Sequence, residues 1–475
     1  GQSMNVINED FLRELKAHIK KISSDDNIKG AVICSGKDNA FLAGADLNML
    51  LGDLAMNDQA SPEDIFKTSF SLNKLFRSLE TCGKPIAVAI AGLTLGGGLE
   101  LAMSCHYRVV ADNDKIKMGL PEIQVGLIPG AGGTQRLPRL MGIQAALPYM
   151  LQGKNMSPKQ ALASGVIHEI APVGDIINKA KAWILGGGKA EQPWDQKRFK
   201  IPGGQGVYDP NIVQTFMGAP AMTQKQTKNN YPAAVAILSA VYEGHQLPID
   251  LALKVESTYF AQQIMGTVAP NMIRTLFVNK NKADKLIRRP KDQPEMKTKK
   301  LGMLGAGLMG GGIAYVSAMA GIEVVLLDRE LEFAQKGKDY SKTLLDKAVS
   351  RKKINQEKAD HILSLITPTA DYADLEGCDL VIEAVLEDVD VKADVTKKTQ
   401  AVVPDSCIYG SNTSTLPISI LAKASKDQQK FIGIHFFSPV DKMPLVEIIL
   451  GKNTGDEALA KALDYVRQIR KTPIV

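Results

Sequence analysis

"KLGMLGAGLMGGGIAYVSAMAGIEVVLLD", residues 300–328, decides how the second half of this chain reads. An apolar, strand-like run leads into Gly305, Gly307 and Gly310 in G-x-G-x-x-G spacing, and a helix-like stretch then leads to a second apolar run ending in Asp328. Glycines in that order let a strand-to-helix turn approach a pyrophosphate, whose charge sits at the helix N-terminus. Asp328, about 18 residues beyond Gly310, stands where an acid accepts hydrogen bonds from an adenosine ribose and repels a 2′-phosphate. The spacing predicts a Rossmann βαβ unit and favours NAD over NADP. A glycine turn that binds nothing, with Asp328 as a strand-end cap, is the competing reading; strand, helix and acid together weigh against it.

Working outward, "RRPKDQPEMKTKK", residues 288–300, is charged, holds two prolines and reads as a linker. Residues 1–190 alternate short apolar strands with stretches whose apolar positions recur at helical spacing, an α/β pattern. Residues 191–297 begin glycine-rich and irregular and continue as helices, and 298–475 open with the fingerprint. The predicted divisions are therefore 1–190, 191–297 and 298–475.

Composition narrows the class. Apolar residues make up 45% and charged residues 23%, as in a globular protein. No apolar run approaches a membrane span, and the N-terminal stretch lacks a signal pattern. Cysteines 34, 82, 105, 378 and 407 form no CxxC pair, which speaks against a disulfide framework and a zinc site and for a reducing compartment. A net charge of +6 is mild for 475 residues, and no arginine-rich stripe interleaves with aromatics as nucleic-acid tracking requires. No metal and no nucleic-acid partner are expected.

Further on, "YGSNTSTLPIS" crowds Ser411 to Thr415 after a strand, and "IGIHFFSPVDKMPLVEII" puts His435 after one strand and Glu447 within the next. A histidine can take a proton from an alcohol while hydride leaves for nicotinamide, and a carboxylate can orient the ring. These segments resemble the L-3-hydroxyacyl-CoA dehydrogenase family. The resemblance implies His435 as catalytic base, Glu447 as its partner, Ser414 at the substrate hydroxyl and nicotinamide, and Met309, Asp328, Glu387 and Lys392 at cofactor-contact positions. Ser438 stands where many members carry asparagine.

In the first half, "LTLGGGLELA", residues 93–102, puts three glycines at a helix start, where free amides and the positive dipole end stabilise an oxyanion. Ala45, in "NAFLAGADL", is the candidate second amide beside Gly97. Two carboxyls, Glu100 and Glu122, could divide a hydration between water activation and carbon protonation. On spacing alone the stronger readings are Glu100 as a dipole-complementing acid and Glu122 as a solvated loop acid. "GAGGTQ", residues 130–135, lacks the lysine of a P-loop and is not read as a nucleotide site.

"AFLAGADL", "GLTLGGGLELAMSC" and "PEIQVGLIPGAGGTQRLPRLMG" resemble the enoyl-CoA hydratase (crotonase) family across nearly all of residues 1–190. The resemblance implies a spiral ββα fold, amides of Ala45 and Gly97 on a thioester oxygen, Glu100 activating water and Glu122 protonating the α-carbon. Together the two halves resemble the multifunctional proteins of fatty-acid β-oxidation, which implies acyl-CoA thioester substrates, NAD, a thiolase partner subunit, oligomerisation, and a cytoplasmic location or, in a eukaryote, the mitochondrial matrix. Both ends read as cut, with the dehydrogenase's helical C-terminal domain beginning past Val475, so impaired oxidation is expected. Two other readings are 3,2-enoyl-CoA isomerisation through Glu122 alone and a non-catalytic NAD- or acyl-CoA-binding fragment.

Overall fold

The computed structural model describes residues 4–55 and 61–475, so the first three residues of the N-terminal stretch lie outside it. The chain forms two compact units, Gly1–Val278 and Asn279–Val475. The segment expected as one helical extension and linker, 191–297, is thereby divided. Its helices up to Val278 pack into the first unit's core through Ile237, Phe260 and Ile264, and the remainder joins the second unit, where Arg289 pairs with Asp464.

The first unit is built on two small sheets. One carries Ala31–Cys34 (β1), Ile86–Ile90 (β3), Tyr107–Ala111 (β5) and Glu169–Ala171 (β8), all parallel, in the order β1-β3-β5-β8. The other carries Ala40–Leu42 (β2), Leu93–Leu95 (β4), Met118–Gly119 (β6) and Asn155–Met156 (β7), with only the last pair antiparallel. Strands β1 to β6 thus alternate between the two sheets, which winds the chain as a spiral of ββα turns. β3 is buried at every position, as expected of a strand covered on both faces. Helices enclose the sheets: Glu9–Ser24 (α1), Pro62–Glu80 (α2), Gly97–Met103 (α3), Gly133–Met141 (α4), Pro210–Thr227 (α5), Pro232–Gly244 (α6) and Ile249–Met265 (α7).

The second unit holds one eight-stranded sheet of Lys300–Leu304 (β9), Glu323–Leu327 (β10), Ile366–Thr369 (β11), Leu380–Glu383 (β12), Ile408–Ser411 (β13), Phe431–Phe436 (β14), Leu445–Ile449 (β15) and Thr472–Ile474 (β16). Its order is β11-β10-β9-β12-β13-β14-β15-β16, parallel through β14, with β15 antiparallel to β14. The order reverses between β9 and β12, the switch point where doubly wound folds leave a crevice at the strands' carboxyl ends. Successive side chains of β10 enter opposite cores, Val324 and Leu326 on one face and Val325 and Leu327 on the other. Leu308–Met319 (α8), Val389–Gln400 (α9) and Asp456–Gln468 (α10) are the helices used below.

Candidate functional site

The first site begins where β4 hands over to α3. Gly96 has φ +54°, and a Cβ there would come within 2.5 Å of Glu122 Oε1. At Gly98 a Cβ would strike the carbonyl oxygen of Leu42, a backbone atom with no freedom to move aside. Two of the three glycines are thus required by local packing, which draws β2 and the acid at 122 against the helix start. Gly97 N–H lies in the first turn, where no carbonyl of the helix reaches it. Ala45 bridges Ile7 in parallel fashion, with Ile7 N–H donating to Gly44 and Asp46 N–H donating to Ile7. That pattern turns Ala45's own N–H to the other side, and its neighbour Gly44 approaches Gly97 N to within 4.0 Å of a built Cβ. The two amide-bearing segments expected to form the oxyanion site lie side by side.

Glu100 is 2% exposed, one turn into α3, and its Oε1 accepts from Ala131 N at 2.8 Å and Gly133 N at 2.7 Å. Glu122 opens a short 3-10 turn, Glu122–Val125, and its buried Oε2 has no protein partner among the described residues. Burial pushes the Glu122 carboxyl up to about 8, helped by the Glu256 carboxylate. Glu100 is also pushed well above the ordinary range, by burial first and then by Glu122 and Glu256, while the two loop amides pull the other way. The donors distinguish the pair: Glu100 is held by N–H groups that favour its anion, and Glu122 presents an unpartnered oxygen suited to carrying a proton.

Glu256 was not foreseen. It lies on α7, fully buried, and accepts from Gly132 N at 2.5 Å, Thr134 N at 2.9 Å, Thr134 Oγ1 at 2.6 Å and Asn73 Nδ2 at 3.2 Å. Nothing in the helical pattern of "IDLALKVESTYF" separates this acid from a solvated one. The available signal was the glycine-rich 130–135 stretch, whose bare amides need acceptors.

In the second unit the fingerprint forms as expected. Gly305 has φ +88°, and a Cβ there would press on the backbone of Ala384, just past β12. Gly310 packs against the carbonyl of Gly305, whereas a Cβ at Gly307 would meet nothing within 4 Å. Gly307 is therefore free of packing duty and caps α8, where its bareness leaves room for a pyrophosphate. Asp328, at the end of β10, accepts from Ala306 N at 2.7 Å and Arg329 N at 2.8 Å, which fixes the carboxylate beside the turn. Met309 is half-buried in the first turn of α8. These residues fit a dinucleotide.

His435 and Glu447 occupy directly opposed positions of β14 and β15, with Nδ1 2.7 Å from Glu447 Oε2. Asn412 Oδ1 accepts from Phe436 N at 2.8 Å and ties the 411–415 loop to the histidine's strand. Ser414 is exposed, and its N–H donates to Glu387 at 2.9 Å. Thr413 Oγ1 donates to the same carboxylate at 2.6 Å, and Thr415 N at 3.2 Å. Partial burial pushes Glu387 up, but Thr413, these amides and Lys392 outweigh it and hold it down at about 2. Lys392 is 2% exposed, with its ammonium on Glu383 at 2.8 Å and Glu387 at 3.2 Å. Expected as a cofactor contact, it is buried with its ammonium between these two carboxylates.

Residues 2–186 match the family Enoyl-CoA hydratase/isomerase, and residues 300–475 match the 3-hydroxyacyl-CoA dehydrogenase, NAD binding domain. The class is thus a crotonase-like domain followed by a Rossmann-type NAD-binding domain. The chain is 37% identical over 476 residues to the fatty acid oxidation complex subunit alpha of Shewanella baltica (strain OS185). It is 38% identical over 477 residues to that of Shewanella frigidimarina (strain NCIMB 400). Over its whole length the chain is similar to these alpha subunits. All of this chain is matched, and it spans 66% of the length of either relative. Among solved structures, a (S)-3-hydroxybutyryl-CoA dehydrogenase from Ralstonia eutropha is 36% identical, covering 38% of this chain and 63% of its own, with a TM-score of 0.36.

Proposed function

We propose that the first unit adds water to 2-enoyl-CoA thioesters, giving L-3-hydroxyacyl-CoA, and that the second contributes to NAD-dependent oxidation of that product to 3-oxoacyl-CoA. The observation that carries the reading is the buried pair Glu100 and Glu122 beside the amides of Gly97 and Ala45. Glu100, whose anion is the one that two N–H groups favour, removes a proton from water as the water oxygen bonds to C3. Charge moves to the thioester oxygen, where the two amides stabilise the enolate. Glu122, neutral at pH 7, delivers its proton to C2. The pair ends with its proton on the other partner, and exchange between the coupled carboxyls restores the starting state.

In the second unit Gly305, Gly307, Gly310, Met309, Asp328 and Glu387 would hold NAD, which supplies a hydride acceptor when bound. His435 takes the hydroxyl proton on Nε2, and Glu447 accepts from Nδ1–H, fixing the ring and stabilising its cation. Asn412 ties the 411–415 loop to the histidine's strand, and Ser414 on that loop would meet the substrate hydroxyl and the nicotinamide. We further propose a thiolase subunit as partner of the whole protein and a cytoplasmic location. No helix among the described residues is long and apolar enough to cross a membrane.

The test is the loss of 2-enoyl-CoA ultraviolet absorbance, followed by NADH formation on adding NAD. Hydration should vanish in Glu122→Gln, and Glu100→Gln should lose hydration while retaining any 3,2-isomerisation. Retained hydration in Glu122→Gln would overturn the assignment, and isomerisation without hydration in the unaltered chain would make the first unit an isomerase.

A further inference from the structure

The loop 130–134, which the sequence offers as a phosphate-loop look-alike, holds two carboxylates instead of a ligand. Its amides alternate: Ala131 and Gly133 donate to Glu100, while Gly132 and Thr134 donate to Glu256. Glu256 therefore grips the far side of the very backbone that seats Glu100. Asn73 on α2 completes the clamp, donating to Gly130 O at 3.1 Å, Glu256 Oε1 at 3.2 Å and Ser257 Oγ at 3.0 Å. Phe260, one turn along α7, fills the space beneath Gly130.

We propose that Glu256 is a positioning residue of the first site, fixing the 131–134 loop so that its remaining amides set the Glu100 carboxylate in place. This rests on the hydratase reading above. Each hydrogen bond to Glu256 is made by a donor, so the site demands an acceptor-only group, and a glutamine amide would face N–H groups with its own N–H. The charged groups around the loop are Glu100 from α3, Glu122 from its 3-10 turn, Glu256 from α7 and Arg136 from α4. Arg136 is paired with Glu80 of α2 at 2.6 Å and donates to Ala131 O at 2.8 Å. Against that one paired cation, the Glu256 anion adds to the upward push on Glu100 and Glu122. Glu256 thus acts on geometry through the loop and on protonation through its field.

Hydrogen exchange in the full chain tests the clamp whether or not the chain turns over. In Glu256→Gln, the amides of 131–134 should exchange at least about tenfold faster, with the second unit unchanged. Hydration kcat should fall about 10- to 100-fold at nearly constant KM, and the alkaline limb of the rate profile should move to lower pH, because Glu122 loses an anionic neighbour. Glu256→Asp, which keeps the charge but shortens the reach, should lower kcat with the limb unmoved. Loop exchange within about twofold of the unaltered chain overturns the clamp, as does an unchanged hydration kcat in Glu256→Gln. If Glu256→Gln does not fold, Asn73→Ala should accelerate the same amides to a smaller extent, and unchanged exchange there is equally fatal. An unaltered chain without hydratase activity would sink the hydratase reading, while loop protection still decides the clamp.

Discussion

Glu122 and Glu387 are carboxyls of the same chemistry moved in opposite directions by what surrounds them. Glu122 has burial and an unpartnered oxygen, and stands at about 8; Glu387, only partly buried, accepts from Thr413, Ser414 and Thr415, pairs with Lys392, and stands at about 2. Hydration should therefore hold to near pH 8 and fall above it as the proton donor is lost, read as an alkaline limb in kcat against pH. Stability follows the same sign. A carboxyl raised on folding contributes fully below its unfolded value of 4.5, and the contribution is lost as pH rises through about 8. Thermal midpoints should thus decline between about pH 4.5 and 8 and level off above, and decline less in Glu122→Gln. The two candidate acids of the first site and the His435–Glu447 pair were legible because each sits in a motif read within a few neighbouring residues. Glu256 was not, since its partners lie more than a hundred positions away along the chain.

At the scale of elements, the β9-turn-α8-β10 unit was legible because strand, turn and helix are contiguous and each glycine has a local reason. The second small sheet of the first unit was not, because β6 and β7 are two residues each and carry no periodicity. Its tightest constraint is the meeting of β2 with α3. Gly98→Ala would push a methyl into the Leu42 carbonyl and should cost about 1–3 kcal/mol, seen as a lowered unfolding midpoint with loss of hydration and unchanged NADH binding. The β14/β15 pair sets the other constraint, since direct opposition of His435 and Glu447 makes the dyad a property of strand register. Glu447→Gln should preserve the fold and NADH affinity while slowing oxidation by about 10²- to 10⁴-fold, measured with 3-hydroxyacyl-CoA; an unchanged rate would remove Glu447 from the mechanism.

At the scale of the molecule, each unit carries its own core and its own site. Gly307→Ala, at an ordinary φ of −66° with empty space around it, should leave both the unfolding midpoint and hydration untouched and weaken NADH binding at least about tenfold. Weakened hydration in that variant would contradict the separation. The division of the 191–297 segment could not be read from composition, because helices on either side of residue 278 have similar texture and differ only in which core receives them. That division bears on inheritance. The family-matched segment, 2–186, contains both acids of the first site, yet the carboxylate gripping their loop comes from α7, well beyond it. Recombination that joined 2–186 to a foreign helical partner would transmit the two candidate acids without the part proposed to brace them. On the proposed clamp, the stretch that travels together through gene fusion and shuffling runs on through α7 to the unit boundary at Val278.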